Sequence, residues 1–357
     1  MTRDQTEFNI LPAYNGDCIL IKTYVENNVE FIILVDGGTP STFEYSLKNN
    51  LKKISKIDLL VLTHIDSDHV GGLINFFNNS IIEKIEIGEI WYNQPDVDFF
   101  EPKSNKAIIS VPQAEDWKTL IKQKKSNVVV KEITTENKSI KVNGLEFTIL
   151  SPTPEIKNKL YIRWLKERNK PKKDTIKSLI STSTLSYSKS LRELNNIDFK
   201  PEKSINNDIY NSSSIAFLLK CPDLSLLLLA DSRAEVISKV LNELEYSQDY
   251  PLEVDFVKIS HHGSLNNTSQ EILSLIRSNN YLISTNGGTS SHKHPSRETI
   301  ARIVCKTNRK EDNTLNIYTN YDVDIIKEKI GEFITQEDFK KGNWIMEHKN
   351  TFTKNDL

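Results

Sequence analysis

The segment Thr63-His64-Ile65-Asp66-Ser67-Asp68-His69-Val70-Gly71-Gly72 is the most informative part of this chain. It follows Leu59 to Leu62, an apolar run typical of a buried strand, and it places four side chains that can bind metal within six positions. Alternation along an extended loop would point His64, Asp66 and Asp68 the same way. A turn into a helix at Gly71 would bring His69 round to them. Imidazole and carboxylate groups gathered in this way predict a site for one or two cations.

The other histidines are also unevenly distributed. Six of the seven lie in three short polar segments that follow apolar strands: His64 and His69, His261 and His262, and His292 and His294. Only His348 lies elsewhere. Because α/β folds place their ligand sites at the ends of strands, whereas isolated structural histidines have no reason to gather there, this distribution favours a functional site.

A carboxylate stands at the end of another apolar strand. Asp231 follows the run Leu226 to Ala230, and an acid at the tip of a buried strand is costly unless it is paired or bound to metal. Taken alone, Asp231 could instead cap a helix that begins near Ser232. The histidine pairs could likewise belong to ordinary turns, but together these segments point to one site.

Strand and helix patterns alternate over most of the chain. The runs FNILPA, DCILIKTY and VEFIILVD predict early strands, residues 41–53 have helical spacing, and Gly72 to Phe77 predicts a short helix. Strands and helices alternate again from Ser213 to Cys305. A single α/β domain at residues 1–320 with insertions at about 93–143 and 155–205 fits this pattern, and we interpret residues 321–357 as a peripheral C-terminal extension.

Composition excludes several protein classes. Hydrophobic residues make up 38% and charged residues 26% of 357, and the formal net charge is −2, as in ordinary globular proteins. No apolar run approaches the roughly 20 residues needed to cross a bilayer, and the start MTRDQTEFN lacks a signal-peptide core. We therefore expect a cytoplasmic protein with no membrane contact. The cysteines Cys18, Cys221 and Cys305 are too scattered to predict disulfides or a cysteine zinc site.

One segment is strongly basic. Residues 157–203 contain thirteen Lys or Arg against five Asp or Glu, so the segment could bind the phosphates of nucleic acid. Its aromatic residues Tyr161, Trp164 and Tyr187 could stack on bases, or they could form the segment's own small core. A lysine-rich run is as often a solvated surface, and the insertions could also bind a protein partner.

These motifs, in this order, resemble those of the metallo-β-lactamase superfamily and, more narrowly, the hydrolase domain of the DNA-uptake protein ComEC. The motifs are HIDSDHVGG from His64, the strand end at Asp231, SHHGS from Ser260 and HKHP from His292. The opening segments Asn15 to Ile21 and Leu34 to Gly38 also match that family, whereas residues 93–205 do not. The resemblance implies an α/β fold, a four-layer αββα sandwich with a two-metal site between its sheets.

The resemblance also implies which side chains bind the two ions. His64 and Asp66 would bind the first ion, and Asp68, His69 and His261 the second. Asp231 would be shared by both ions. A shared carboxylate would hold two cations about 3.5 to 4 Å apart, close enough to clamp the attacking and leaving oxygens and to generate a metal-bound hydroxide, so that no protein nucleophile would be needed.

Further residues would act around the ions. Asp36 would not bind an ion itself but would orient one of the metal ligands. His262, His292 and His294 would contact phosphate or act as the general acid, for which we favour His294. The residues expected to take part in catalysis are thus Asp68, His262 and His294.

Two departures from the superfamily pattern concern the first ion. Most members have histidine where this chain has Asp66, and another histidine before the strand of the shared aspartate, where this chain offers Asp208 or Asn211. Spacing does not choose between these two residues. Carboxylate and amide ligands favour Mn²⁺ or Mg²⁺ over Zn²⁺. We expect two divalent ions, zinc or manganese with magnesium as a further option, or tight binding at the second position alone.

The leading hypothesis is a metal-dependent phosphodiesterase or nuclease that acts on DNA. One alternative is hydrolysis of a small ester, lactone, thioester or cyclic nucleotide, which the same ligands could perform. A second is a catalytically silent binding or regulatory subunit. Unlike full ComEC, this chain has no predicted membrane span, so the uptake role does not transfer.

Overall fold

The computed structural model describes residues 5–94, 110–168, 189–288, 293–306, 313–340 and 342–357. The strands are β1 (Glu7–Ile10), β2 (Ile19–Tyr24), β3 (Glu30–Val35), β4 (Lys56–Val61), β5 (Glu86–Trp91), β6 (Val129–Lys131), β7 (Ser139–Val142), β8 (Leu145–Ser151), β9 (Ala216–Lys220), β10 (Ser225–Leu228), β11 (Leu252–Glu253), β12 (Phe256–Lys258), β13 (Ile276–Arg277), β14 (Asn280–Ile283), β15 (Leu315–Thr319), β16 (Trp344–His348) and β17 (Thr351–Thr353). The helices are α1 (Pro40–Thr42), α2 (Lys48–Leu51), α3 (Ser67–Asn78), α4 (Ser110–Lys124), α5 (Pro154–Arg168), α6 (Leu191–Asn195), α7 (Ile209–Ser212), α8 (Ala234–Glu243), α9 (Gln270–Ser274), α10 (Arg297–Lys306), α11 (Val323–Ile330) and α12 (Gln336–Phe339).

The strands form two large mixed sheets. The first has the order β17-β1-β2-β3-β4-β5-β6 and the second β16-β15-β14-β12-β10-β9-β8-β7, while β11 and β13 make a separate pair. Neighbours from β3 to β6 are parallel, as are β10, β12, β14, β15 and β16. Parallel strands end at a common edge, which is where α/β folds place their ligand sites.

The two sheets pack face to face through an aromatic core. Phe8 of the first sheet lies against Phe256 of the second with ring centroids 5.0 Å apart. Trp91 and Phe147 make a second contact of this kind at 4.9 Å. Edge-to-face packing of such large apolar side chains stabilises the association of the sheets.

Helices cover the outer face of each sheet. Apolar residues of α3, α4 and α5 pack on the first sheet, with Phe77 and Trp117 at a centroid distance of 4.5 Å. Residues of α6, α8, α9, α10 and α11 pack on the second. The predicted four-layer αββα sandwich is therefore confirmed. Among the described helices, none combines the length and apolar character that a bilayer span requires.

Helix α3 begins earlier than the sequence predicts. It starts at Ser67 and not at Gly72, because Asp66 adopts an extended conformation before it and the Asp66 carbonyl accepts hydrogen bonds from the backbone N–H groups of His69 and Val70. Asp68 therefore lies in the first turn of a helix. The alternation of an extended loop, which we used to place Asp68, does not apply to it.

The residues after 320 complete both sheets. Strand β16 forms one edge of the second sheet and β17 pairs with β1 at the edge of the first. Trp344 and Phe352 are buried, and Phe352 lies in the core between the sheets. The predicted domain boundary stays a prediction. These residues are nevertheless structural parts of the sandwich, and the charged composition of the segment gave no indication of that.

The basic segment contains helices α5 and α6, while residues 169–188, which include Tyr187, lie outside the described residues. Trp164 is only 1% exposed and packs in the core of the first sheet. Lys157 and the Tyr161 hydroxyl both contact Glu132. The sequence allowed these aromatic residues either to stack on bases or to form a core, and Trp164 is a core residue.

Candidate metal centre

Loops from both sheets meet at the edge where the parallel strands end. The loops after β3 and β4 carry Asp36 and the segment His64 to His69. From the second sheet, Asp231 follows β10, and His261 and His262 follow β12. Most of these side chains are buried, since His64, His69, Asp231 and His262 are each at most 4% exposed. Asp66, Asp68 and His261 are the more exposed members, with side chains 32%, 26% and 25% exposed.

Asp231 lies at the middle of the cluster. Its Oδ1 is 3.5 Å from His69 Nε2. Its Oδ2 is 3.8 Å from His64 Nε2, 3.7 Å from His261 Nε2 and 3.7 Å from His262 Nε2. Helix α8 begins at Ala234 with Arg233 as its N-cap, so Asp231 is not a helix cap. Oδ1 thus faces one imidazole and Oδ2 faces three, and a carboxylate with imidazoles at both oxygens is suited to being shared by two cations.

The donor atoms of the described residues form four overlapping groups, and within each group all donor atoms lie within 4.8 Å of one another. The groups are, in order, His64, His69 and Asp231; Asp68, His69 and His262; Asp17, Asp36 and His69; and Asp17, Asp231 and His262. Asp66 lies beside the first group, 3.8 Å from His64 Nε2. The second group contains His262, whose Nε2 is 3.9 Å from Asp68 Oδ2, where the resemblance had placed His261.

Asp36 holds His69 in place. Its Oδ2 is 2.7 Å from His69 Nδ1 and accepts a hydrogen bond of 2.7 Å from the Thr63 hydroxyl. The backbone N–H of Thr63 donates to Oδ1 at 2.8 Å. Since the carboxylate fixes the proton on Nδ1, His69 Nε2 carries the lone pair that faces Asp231.

The backbone at the two adjacent histidines is unusual. His261 and His262 both adopt left-handed conformations, with φ of 47° and 55°, which costs about 1–2 kcal/mol per non-glycine residue. The turn aims the two side chains differently. His261 Nδ1 is 3.1 Å from Asn267 Oδ1, whereas His262 Nδ1 donates to the Ser284 carbonyl at 2.9 Å. Strain of this kind persists where the surrounding structure fixes it, typically at functional sites.

The charges of the cluster shift one another's pKa values. Burial would raise the pKa of Asp231, but the histidines around it lower that pKa well below its usual value. Burial would lower the pKa of His69, yet Asp231 and Asp36 raise it well above 6.5. For His64, burial prevails and its pKa is well below 6.5. His64 is thus a neutral imidazole near neutral pH.

Asp208 and Asn211, which the sequence could not rank, have different surroundings. Both Asp208 oxygens accept hydrogen bonds, Oδ2 from the buried Arg233 at 3.2 Å and Oδ1 from Asn211 Nδ2 at 3.1 Å. The Asn211 amide is 8% exposed, and its Oδ1 makes no hydrogen bond within the described part of the chain. Asn211 is therefore the better candidate for a ligand.

The HKHP segment is only partly described. His294 is 7% exposed, and its ring centroid lies 5.5 Å from that of His261 and 6.5 Å from that of His262. The structure therefore brings His294 to the cluster. His292, the other predicted contact, lies outside the described residues.

Three residues at the centre were not assigned from the sequence. Asn15 Nδ2 donates to Asp68 Oδ2 at 2.8 Å. The buried Lys258 contacts the buried Asp17, and Asp17 Oδ1 is 3.4 Å from His262 Nδ1. A lysine inside the apolar strand that precedes SHHGS was the available signal, because lysine is almost never fully buried without a partner.

The donor set fits divalent cations. Several buried atoms of the centre make no hydrogen bond with any described residue, among them Nε2 of His64, His69 and His262, and Oδ1 of Asp17, Asn211 and Asp231. Five carboxylates, those of Asp17, Asp36, Asp66, Asp68 and Asp231, lie in the cluster with the single ammonium of Lys258. Once metal ions displace the protons of His69 and His262, the cluster carries four negative charges, which two divalent ions would balance. Burying such charge without cations is strongly unfavourable.

One family model and several solved structures are similar to this chain. The sequence model of the Lactamase_B family, described as the Metallo-beta-lactamase superfamily, matches residues 11–154. The chain is similar to the metallo-beta-lactamase fold protein YhfI from Bacillus subtilis (9% identity, TM-score 0.43, 98% of this chain and 99% of that chain covered). It is also similar to a diphosphatase from the PhnP family (10%, 0.43, 98% and 97%) and to Zn²⁺-bound PqqB from Methylobacterium extorquens (10%, 0.37, 93% and 85%).

No curated protein matches the chain. At these identities and scores, the three structures show a similarity and nothing further. The family match includes the loops after β3 and β4, which carry Asp36 and the segment His64 to His69. The metallo-β-lactamase fold that the sequence predicts is therefore confirmed, together with clusters of His and Asp that could hold a metal ion.

Proposed function

We propose that this chain is a metal-dependent phosphodiesterase that uses two divalent ions and acts on DNA. The observation that carries the proposal is the convergence, between two sheets, of buried imidazole and carboxylate atoms on Asp231. The narrower resemblance to the ComEC hydrolase domain and the basic segment 157–203 support DNA as the substrate.

His64, Asp66 and Asn211 would hold the first ion in this proposal. Asp68, His69 and His262 would hold the second, and Asp231 would be shared. We assign His262 in place of His261 because its Nε2 is buried and groups with Asp68 and His69. His261 is more exposed, with its Nδ1 beside Asn267, and is left to contact the substrate.

Bound divalent ions would lower the pKa of a water molecule and neutralise charge on the phosphoryl oxygens. The protein's own part is positioning and proton transfer. Asp36 keeps the proton of His69 on Nδ1, 2.7 Å away. His294, at the rim beside His261, would donate a proton to the leaving oxygen, as a general acid must.

The ligand chemistry favours phosphodiesters over carboxylic esters. Asp66, Asp68, Asp231 and the Asn211 amide supply oxygen donors, which suit Mn²⁺ and Mg²⁺ better than a histidine-rich set would. Mg²⁺ typically binds through a few carboxylates together with substrate phosphates. The described part of the basic segment is less free for DNA than its composition suggests, because Lys157, Lys159 and Arg163 each contact a glutamate.

The test is cleavage of single-stranded, double-stranded and closed circular DNA, with RNA alongside. Metal-stripped protein is refilled with Mn²⁺, Zn²⁺ or Mg²⁺ and compared with Asp68→Ala. Asp249→Ala, a change at an exposed loop position, is the matched control. We expect metal-dependent cutting of closed circles that is lost in Asp68→Ala and retained in Asp249→Ala.

Small substrates separate the alternatives. Hydrolysis of bis-nitrophenyl phosphate without DNA cleavage would replace DNA by a small phosphodiester such as a cyclic nucleotide. Hydrolysis of a nitrophenyl carboxylic ester or a lactone alone would refute phosphodiester chemistry. Tight metal binding with no turnover on any of these substrates would favour a binding or regulatory subunit.

A further inference from the structure

A buried ion pair lies beside the second group of donors and joins the two sheets. Lys258 is the last residue of β12, and Asp17 lies in the loop before β2, 241 positions away in sequence. Lys258 is 0% and Asp17 2% exposed, and Lys258 Nζ contacts Asp17 Oδ2. Asp17 and Lys258 are thus an ion pair that is shielded from solvent.

The pair lies against His262. Asp17 Oδ1 makes no hydrogen bond within the described residues and lies 3.4 Å from His262 Nδ1. The Nδ1–H of His262 donates to the Ser284 carbonyl at 2.9 Å, and the Ser284 hydroxyl donates to the carbonyl of Gly16 at 2.7 Å. A carboxylate next to the Nδ1 side of an imidazole makes Nε2 a stronger metal ligand, and Nε2 of His262 is the atom that faces Asp68 and Asp231.

The same loop fixes Asp68. Asn15 Nδ2 donates to Asp68 Oδ2 at 2.8 Å, and the backbone N–H of Asp17 donates to the Asp68 carbonyl at 3.2 Å. Gly16 lies so close that a Cβ there would be 1.8 Å from the Asp68 carbonyl oxygen. A small movement of residues 15–17 would therefore displace Asp68 as well as His262.

We propose that Asp17 and Lys258 are positioning residues for the second metal ion, since their contact sets the loop that orients Asp68 and His262. This inference rests on the metal binding in the proposed function and not on the identity of the substrate. Lys258 belongs to the second sheet and Asp68 to a helix on the first. A change in the distance between the sheets would therefore also move Asp68 and His262 relative to each other.

A merely structural pair would behave differently in a double variant. Removing one partner leaves a buried uncompensated charge, which is strongly destabilising, whereas replacing both charges is often neutral. The double variant Asp17→Asn with Lys258→Met should therefore regain stability. If the pair also positions the ligands, the double variant should still bind metal poorly.

The experiment titrates metal-free wild type, D17N, K258M and the double variant with Co²⁺, whose visible d–d bands report ligand geometry. Urea unfolding of the metal-free proteins is measured in parallel. The control is Lys220→Met, the same change at an exposed strand position. We expect both single variants and the double variant to bind the second Co²⁺ about 10- to 100-fold more weakly, with altered bands. We expect urea stability to fall in the single variants, recover in the double variant and remain unchanged in the control.

Two results would overturn the inference. One is a double variant in which Co²⁺ affinity and bands recover together with stability, because the pair would then act only in folding. The other is unchanged Co²⁺ binding in the single variants. Wild-type protein that binds two Co²⁺ ions but cuts no phosphodiester would refute the proposed function and leave this inference standing.

Discussion

Replacing Asp36 by asparagine tests how a residue that touches no substrate governs the metal centre. The Asp36 carboxylate is fully buried and contacts Thr63 N, Thr63 Oγ1 and His69 Nδ1 at 2.7 to 2.8 Å. In Asp36→Asn, one oxygen can still accept from the Thr63 N–H. The new amide group then faces the Thr63 hydroxyl, which can rotate to accept, and His69 Nδ1–H, which cannot.

One hydrogen bond to a charged group is thus lost outright, which is worth about 1.5–3 kcal/mol in the free energy of unfolding. Burial raises the pKa of Asp36 in spite of His69 and Thr63, so its charge is already disfavoured and we expect the lower half of that range. His69 is also released to place its proton on Nε2, which would weaken metal binding by about 10- to 100-fold.

The assay combines urea unfolding of the metal-free protein with calorimetric titration of Mn²⁺ and Zn²⁺. Asp58→Asn is the matched control, because Asp58 also accepts a backbone N–H, that of Ile32 at 2.9 Å, but stands near the other end of β4. Asp36→Asn should lose metal affinity, and Asp58→Asn should keep it. Wild-type metal affinity in Asp36→Asn would refute the orienting role of this carboxylate.

Three further predictions concern the centre and its support. Asn211→Ala should lower the bound metal by up to one equivalent in mass-spectrometric analysis, whereas Asp208→Ala should mainly lower urea stability, because it removes one of the two carboxylate partners of buried Arg233, the other being Glu235. Equal metal content in Asn211→Ala and wild type would contradict the ligand assignment. Metal affinity should rise with pH. Burial would lower the pKa values of His69 and His262, but the carboxylates Asp231, Asp36 and Asp17 raise them above 6.5, so protons compete with the ions below those pKa values and cease to compete above them. Titration calorimetry that finds no pH dependence would contradict this. Gly72→Ala should lower the unfolding free energy by about 1–3 kcal/mol, since its Cβ would lie 1.9 Å from the Gly37 carbonyl oxygen. An unchanged urea midpoint would show that the backbone around Gly37 can move away from α3 with no loss of stability.

The sequence predicts the fold and the location of the cluster for one physical reason. Short apolar runs that end in His and Asp mark strands whose ends share an edge, and the structure brings His64, His69, Asp231 and His262 together there. The predicted metal roles stay predictions, but the convergence of these side chains follows from topology alone.

The sequence could not predict the features of the site that depend on backbone conformation and on contacts between residues far apart in the chain. The choice between His261 and His262 depends on two consecutive left-handed residues, which no local propensity indicates. The contact of Lys258 with Asp17 spans 241 positions, so neither residue reveals its partner. Asp208 accepts from Arg233 and from Asn211, whereas Asn211 Oδ1 accepts from no described residue, and spacing carries no information about these contacts.

The pairing of the first strand with β17 also has a consequence during protein synthesis. Glu7 pairs with Thr353, and the densest cluster of donors, His64 to His69, leaves the ribosome long before Asp231 and His262. Contacts of such high sequence separation form late, because the chain between them must first be ordered. A nascent chain therefore carries the HIDSDH segment without its partners from the second sheet. The enzyme we propose would be inert beside the nucleic acids of the translating cell until nearly all of its domain had been made.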